Sequence, residues 1–250
     1  MSRIAVAPMT PAVKRILIVT VAIWFVVQVI LGQFFRLNQW EMFLLHPAMV
    51  LEKFYVWQLV TYVFFHAISP FHLLFNMLML WFFGSELEKQ WGSKFFTAYY
   101  FSTGIGAAII YCSVVGVYAA VTGIRTPLVI PVMGASGALF GLLVAYGIIF
   151  SENVIYFMGL FPMKAKFFVL LAGAIDFASL LSSGVSGSEV AYVAHLGGLV
   201  SGFLLLKLAV YMKRRGGSGG SKKSVKRSNN LRLVVDNEKL KDQDGPKYWN

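Results

Sequence analysis

Cysteine is all but missing, with Cys112 the single one among 250 residues. That excludes an intrachain disulfide and a cysteine metal cluster. Charge is scarce as well: 13% of residues, 11 acidic against 22 basic side chains. A soluble domain carries about twice that charge density, so a soluble globular class is set aside. Alternation with a period of two is also lacking, which argues against a membrane β-barrel. What fills the chain is apolar, 58% hydrophobic residues with a mean hydropathy of +0.69. These residues gather in runs that can cross a bilayer, which takes about 20 residues at 1.5 Å each. The sequence therefore reads as an all-α polytopic membrane protein.

Six spans can be drawn from the hydrophobic runs: Ile16–Phe35, Phe71–Lys89, Lys94–Tyr118, Ala135–Ser151, Ala165–Leu181 and Val190–Met212. The first is too long for a secretory signal and lacks a small-residue cleavage site, so it is expected to be a retained anchor. A long first connection, Arg36 to Pro70, mixes aromatics and Leu with Glu41, His46, Pro47, Glu52 and Lys53. That mixture predicts amphipathic pieces lying at the interface, partly embedded in the membrane. Three regions follow: a cytoplasmic N-terminus (1–15), a six-helix domain (16–212) and a flexible basic C-terminal tail (213–250). Within the tail, Gly216 to Ser221 has a linker composition. Lys222 to Arg227 suits attraction to anionic lipid, and Leu231 to Val235 could form a short strand.

A net charge of +11 raises the question of nucleic acid, but the charges sit at span ends and in the tail, as membrane orientation requires. No nucleic-acid partner is expected. Lys14, Arg15, Lys89, Lys94, Lys164, Lys166, Lys213, Arg214 and Arg215 fall on one side, and Arg36, Lys53 and Arg125 on the other. The positive-inside bias puts both termini in the cytoplasm. Ser136, His195, His72 and Asn76 then share one depth near the outer face. The compact core and unextended basic tail suggest a bacterial inner (plasma) membrane.

Polar side chains inside such spans are costly unless they pair or do chemistry. Ser136, in Gly134-Ala135-Ser136-Gly137, could be an ordinary N-cap or packing residue. Its glycine neighbours, however, let backbone approach a substrate carbonyl. A helix beginning here also aims free N–H groups and a positive dipole end at an oxyanion. His195 lies on a stripe of Ala191, Ala194, Gly198, Ser201 and Gly202 that lets another helix come close. Gly137 and Gly141 are the matching small positions. If the two stripes pack together, His195 reaches Ser136 as a general base. Plain helix packing explains the glycines but not the imidazole among them. His72 and Asn76, at i and i+4, share a helix face. They suit an oxyanion site better than a metal site, because Asn is a poor ligand. No cofactor and no metal is expected.

Taken together, His66…His72-x-x-x-Asn76, Gly134-Ala135-Ser136-Gly137 and Ala191-x-x-x-His195-x-x-Gly198-x-x-x-Gly202 closely resemble the rhomboid family of intramembrane serine proteases. Trp57-Gln58-Leu59-Val60-Thr61-Tyr62 and Gly84 to Glu88 extend the likeness, which covers Phe34 to Met212. The resemblance implies a six-helix bundle and a serine endopeptidase acting on transmembrane proteins near the outer membrane boundary. Ser136 would be the nucleophile and His195 the general base, as a dyad without a third acid. Asp176, the only mid-span carboxylate, is accordingly read as structural or protonated. His72, Asn76 and the Ser136 N–H would stabilise the oxyanion, and Gly134 and Ala135 would belong to the same oxyanion and substrate-binding site. Phe140 stands where the family often has a Tyr packed on the catalytic ring. Gln58 stands where it frequently has an Arg that anchors the first loop. His66 and Glu88 take structural parts, and His46, with no motif around it, is likewise read as structural rather than catalytic.

Water must still reach such a site. Ser182 to Ser188, small and flexible by composition, is expected to cap an aqueous cavity. Two other readings stay open: a catalytically silent rhomboid-like protein that binds membrane clients, and a transporter. The transporter reading is weak, because one mid-span acid and no inverted repeat are present. Oligomeric state and substrate identity do not follow from the sequence.

Overall fold

The computed structural model describes residues 8–157, 161–183 and 191–217. The chain divides into two units, 1–212 and 213–250, and every candidate site residue belongs to the first. Helix α1 (Pro11–Ala22) continues into a wider, π-helical stretch, Ile23–Phe34. It opens five residues before the expected Ile16, and Glu88 supplies the reason. Its carboxylate accepts from the N–H groups of Ala12 at 2.9 Å and Val13 at 3.0 Å. It also takes the hydroxyls of Thr10 and Ser93. A helix start has orphan donors and a positive dipole end, and a remote carboxylate satisfies both. Lys14 and Arg15 are thereby wound into the helix.

The first connection forms short pieces: a 3-10 turn at Gln39–Phe43, α2 (Pro47–Lys53), α3 (Gln58–Thr61) and a 3-10 turn at Tyr62–Phe64. Gln58, fully buried, ties them together without an arginine. Its Oε1 accepts from the His46 N–H at 3.0 Å, and its Nε2 donates to the Met42 carbonyl at 3.0 Å. Trp57 Nε1 and the Thr61 hydroxyl hold the Met42 and Phe43 carbonyls. The anchoring that an arginine would supply is therefore made by a neutral amide.

Helices α4 (Pro70–Met79) and α5 (Ser85–Trp91) are joined by a wide turn, Leu80–Gly84. The 30-residue α6 (Ser93–Thr122) ends at Gly123, whose φ of +73° lies in the left-handed region that favours glycine. After α7 (Thr126–Val129) comes α8 (Ser136–Ile149), apolar on every side and buried at nine of its 14 positions. A helix without a polar face belongs inside a bundle, and α8 packs most extensively on α6. A small antiparallel pair, β1 (Val154–Phe157) with β2 (Phe161–Lys164), follows. It lies between the fourth and fifth expected spans, where Val-Ile-Tyr-Phe is strand-forming material. Helices α9 (Ala165–Ser183) and α10 (Ala191–Gly217) complete the described chain.

Among the described residues four helices are long and apolar enough to cross a membrane: Pro11–Phe34, Ser93–Thr122, Ala165–Ser182 and Ala191–Arg215. Their outward faces carry Phe25, Val117, Leu170 and Leu204, all exposed, as lipid contact requires. The protein is thus a mostly helical, multi-pass membrane protein. Helix α10 runs on to Gly217 rather than stopping at Met212, so the first two glycines of the expected linker are helical. Ser182 and Ser183 close α9. The rest of the expected cap, 184–188, lies outside the described residues, as do Ser218 to Ser221, the basic stretch 222–227 and the strand at 231–235.

Candidate active site

The two small-residue stripes meet. A Cβ on Gly198 would run into the Gly137 carbonyl, and one on Gly202 would lie 2.6 Å from the Gly141 Cα. Tyr99 bridges the same contact, its hydroxyl 2.8 Å from the Gly202 carbonyl and 3.2 Å from that of Gly141. Backbones this close bring the second turn of α10 beside the first residue of α8. Ser136 Oγ and His195 Nε2 are consequently 2.8 Å apart, the separation needed for a hydroxyl to hand its proton to an imidazole.

The imidazole is fixed on two more sides. Phe140, one turn after Ser136, stacks on it at 4.4 Å between ring centres and 10° between planes. The stacking expected of that position is made, without a hydroxyl. Asp176 Oδ2 of α9 lies 3.1 Å from His195 Nδ1. The resemblance, implying a dyad without a third acid, left Asp176 as structural or protonated; here it lies against the histidine ring from the preceding described helix. Its one legible signal was being the sole carboxylate in mid-span, and sequence spacing cannot show which helix faces which.

Around the serine, the backbone is prepared by residues upstream. Gly134 has φ +124°, a conformation that L side chains rarely adopt, and a Cβ there would press on the His72 ring at 3.2 Å. Its N–H donates to the Tyr62 carbonyl at 3.0 Å. The Ala135 N–H points to His66 Nε2 at 3.3 Å. His66 is buried and is pushed down to about 4, first by that burial and then by the neighbouring His72, so its ring stays neutral and can accept. Gln28 holds His66 in turn, taking its N–H and donating to its carbonyl. Gly134 and Ala135, both expected at the oxyanion site, therefore have engaged amides. The Leu139 N–H donates to the Ala135 carbonyl, and the Ser136 amide ahead of it has no partner among the described residues.

His72 sits beside this turn, its Nε2 3.3 Å from the position a Gly134 Cβ would take. Its Nδ1 accepts from the Ala67 N–H at 3.2 Å, so in the neutral ring the proton is on Nε2, facing the serine side. Asn76 donates one Nδ2 proton to the His72 carbonyl at 2.7 Å, while its buried Oδ1 has no partner among the described residues. The His72 Nε2–H, beside Gly134 and Ser136, and the second Nδ2 proton of Asn76 have no hydrogen-bond partner among the described residues. Among the described residues no cluster of three or more His, Cys, Asp or Glu could hold a metal. His46 stands apart, its Nδ1 3.3 Å from the Leu44 carbonyl.

Residues 53–212 match the family described as Rhomboid domain. The chain is 36% identical over 161 residues to RHOMBOID-like protein 1 of Arabidopsis thaliana, covering 64% of this chain and 36% of that one. It is 34% identical over 161 residues to the putative rhomboid protease YdcA of Bacillus subtilis (strain 168), covering 64% and 70%. To the mitochondrial Rhomboid protein 1 of Saccharomyces cerevisiae it is 29% identical, covering 64% and 44%. The chain thus spans about a third of the plant relative and less than half of the yeast one. The matched segment holds Ser136, His195, His72, Asn76 and Asp176, and this chain belongs to the rhomboid family.

Proposed function

We propose that this protein is an intramembrane serine endopeptidase that hydrolyses peptide bonds of transmembrane substrates near the outer membrane boundary. The observation that carries the reading is the 2.8 Å approach of Ser136 Oγ to His195 Nε2 inside an apolar bundle. The helices Pro70–Trp91 and Ser136–Ile149 join the four long ones as spans, giving six, with both termini cytoplasmic in a cell inner membrane. Ser136 Oγ attacks the scissile carbonyl carbon while His195 Nε2 takes the hydroxyl proton. The oxyanion is met by the Ser136 N–H, His72 Nε2–H and Asn76, whose donors are worth most in a water-poor site. His195 then protonates the leaving amine as the C–N bond breaks, leaving an acyl-enzyme. Water, deprotonated by His195, displaces the acyl group, and the proton returns to Ser136. No metal or cofactor takes part.

Purified protein in liposomes with a transmembrane substrate is expected to cleave it, and Ser136→Ala to abolish cleavage while the folded protein remains. A fluorophosphonate should label wild-type Ser136 and not the variant. Full cleavage by Ser136→Ala would overturn the assignment. Absence of both cleavage and labelling in the wild type would favour a silent client-binding protein.

A further inference from the structure

We propose that Asp176 is a positioning residue for His195, turning the Ser–His pair of this chain into a Ser–His–Asp line. The proposal rests on the reading of Ser136 as nucleophile and adds a member to it. His195 has a partner at each ring nitrogen: Ser136 Oγ at Nε2, 2.8 Å, and Asp176 Oδ2 at Nδ1, 3.1 Å. With Phe140 against its face, the ring can neither flip nor tilt without losing a contact.

The order of protons follows from the geometry. To accept from the Ser136 hydroxyl, Nε2 must be bare, and in a neutral imidazole the proton then sits on Nδ1. An Nδ1–H needs an acceptor, and the Asp176 carboxylate is placed to be one. A protonated Asp176 would do the reverse. Its O–H would donate to Nδ1, the ring proton would move to Nε2, and Ser136 would face a donor rather than a base. As Nε2 takes the serine proton, the ring becomes an imidazolium, which a carboxylate 3.1 Å from Nδ1 favours over a neutral acceptor.

The surroundings suit that task. The Asp176 side chain is 10% exposed, and among the described residues His195 is its hydrogen-bond partner. The carboxylate borders a crevice of about 200 Å³ whose other walls are Phe140, Phe168, Leu171, Ala172 and Ile175. With apolar walls, little water competes for the Nδ1–H, so a single carboxylate can set the tautomer. A carboxylate retained in mid-span is expensive, and a tie between α9 and α10 is the plain alternative use for it. The tautomer separates the two uses, because a tie works with either one.

The test has an activity arm and a spectroscopic arm. For Asp176→Asn we expect kcat to fall by a hundredfold or more with KM within twofold. The same change in a serine-protease triad lowers kcat by about 10⁴. Asp176→Glu, which keeps the carboxylate, should recover part of that loss. In the second arm, protein labelled with ¹⁵N in its four histidines should show His195 as the Nδ1–H tautomer in the wild type. In Asp176→Asn that signal should shift toward Nε2–H. Wild-type kcat in Asp176→Asn, or a wild-type His195 in the Nε2–H form, would overturn the proposal. A loss of kcat matched by a fall in Tm, with the tautomer unchanged, would reduce Asp176 to a tie. Failure of the nucleophile reading is distinguishable, since it would appear as cleavage persisting in Ser136→Ala.

Discussion

Two buried polar clusters sit in this apolar bundle, one around Glu88 and one around Ser136, and they are built on opposite principles. Glu88 is 3% exposed, and its oxygens meet the Thr10 and Ser93 hydroxyls and the Ala12 and Val13 amides. Four groups from two helix starts converge on one charge, and each is answered. The Ser136 cluster is equally well held from behind, by Gln28 on His66, His66 on Ala135, and Tyr62 on Gly134. It keeps donors in hand, however: among the described residues the His72 Nε2–H, the second Nδ2 proton of Asn76 and the Ser136 amide at the start of α8 have no partner. A saturated cluster adds to stability, whereas an unsaturated one is what a reacting oxygen can use. The comparison predicts that damage to the two clusters will be read by different instruments.

The largest effect should come from the contact that makes the second cluster possible. Gly198→Val would drive a methyne carbon into the Gly137 carbonyl, a backbone atom that cannot step aside. Overpacking of this kind costs more than the usual 1–3 kcal/mol of a tight core, since no rotamer relieves it. We expect loss of the folded, monodisperse species in detergent together with loss of cleavage. A folded and active Gly198→Val protein would mean that the two helices do not meet as described.

Next in size is His72→Ala. Removing one oxyanion donor costs about 10²–10³ in kcat in serine hydrolases, and that range is expected here with Tm within about 2 °C of wild type. The ring's one backbone partner, the Ala67 N–H, lies at the edge of the first connection. A Tm loss with unchanged kcat would transfer His72 to the structural class.

These two positions also show what the sequence disclosed and what it hid. The Gly137/Gly141 and Gly198/Gly202 stripes were legible because small residues at helical spacing have few other uses inside a membrane. His195 and Ser136 followed from them, since each is an expensive residue within such a stripe. Asp176 was visible as a residue but not as a partner. Its side chain reaches His195 from another helix, and no periodicity encodes which face α9 turns inward. Gln58 was legible only as the residue standing where the family often has an Arg; that its buried amide holds the loop through one donor and one acceptor needed the partners Met42 and His46 to be seen. The helix ends drifted for a third reason. Lys14 and Arg15 precede the hydrophobic run that marks the first span, and only the distant Glu88 makes them part of α1. The β1–β2 pair was lost because four strand-forming residues between two helices are indistinguishable from a loop until their partner strand is seen.

Glu88→Ala probes the saturated cluster. It removes a charged acceptor and leaves two buried N–H groups, Ala12 and Val13, without a partner. At about 1.5–3 kcal/mol for a hydrogen bond to a charged group, the loss should be about 3 kcal/mol. That corresponds to a Tm lower by roughly 10 °C for a chain of this size. Below that Tm, kcat should stay within about twofold of wild type, because no atom of this cluster faces Ser136. A selective fall in kcat at full stability would break the comparison outright.

The smallest expected effect belongs to a third carboxylate, Glu152, which pairs with Lys164 and Lys166 on the outside of the β1–β2 hairpin. The hydrogen bonds from those two lysines pull its carboxyl down to about 2. A depressed value means that whatever the pairing adds is present at neutral pH and is lost only as pH falls from the ordinary carboxylate range toward 2. The group is fully exposed, though, and water and salt screen such pairs to little or nothing. Glu152→Gln should therefore leave both Tm and kcat at their wild-type values at pH 7, at low and at high salt alike. A salt-sensitive drop in Tm would mean that the hairpin ties α8 to α9 through these charges. The number of partners around a carboxylate would then predict its importance better than burial does. Unchanged values would leave burial as the difference between Glu88 and Glu152, with two lysines on the surface doing less than two amides and two hydroxyls in the core.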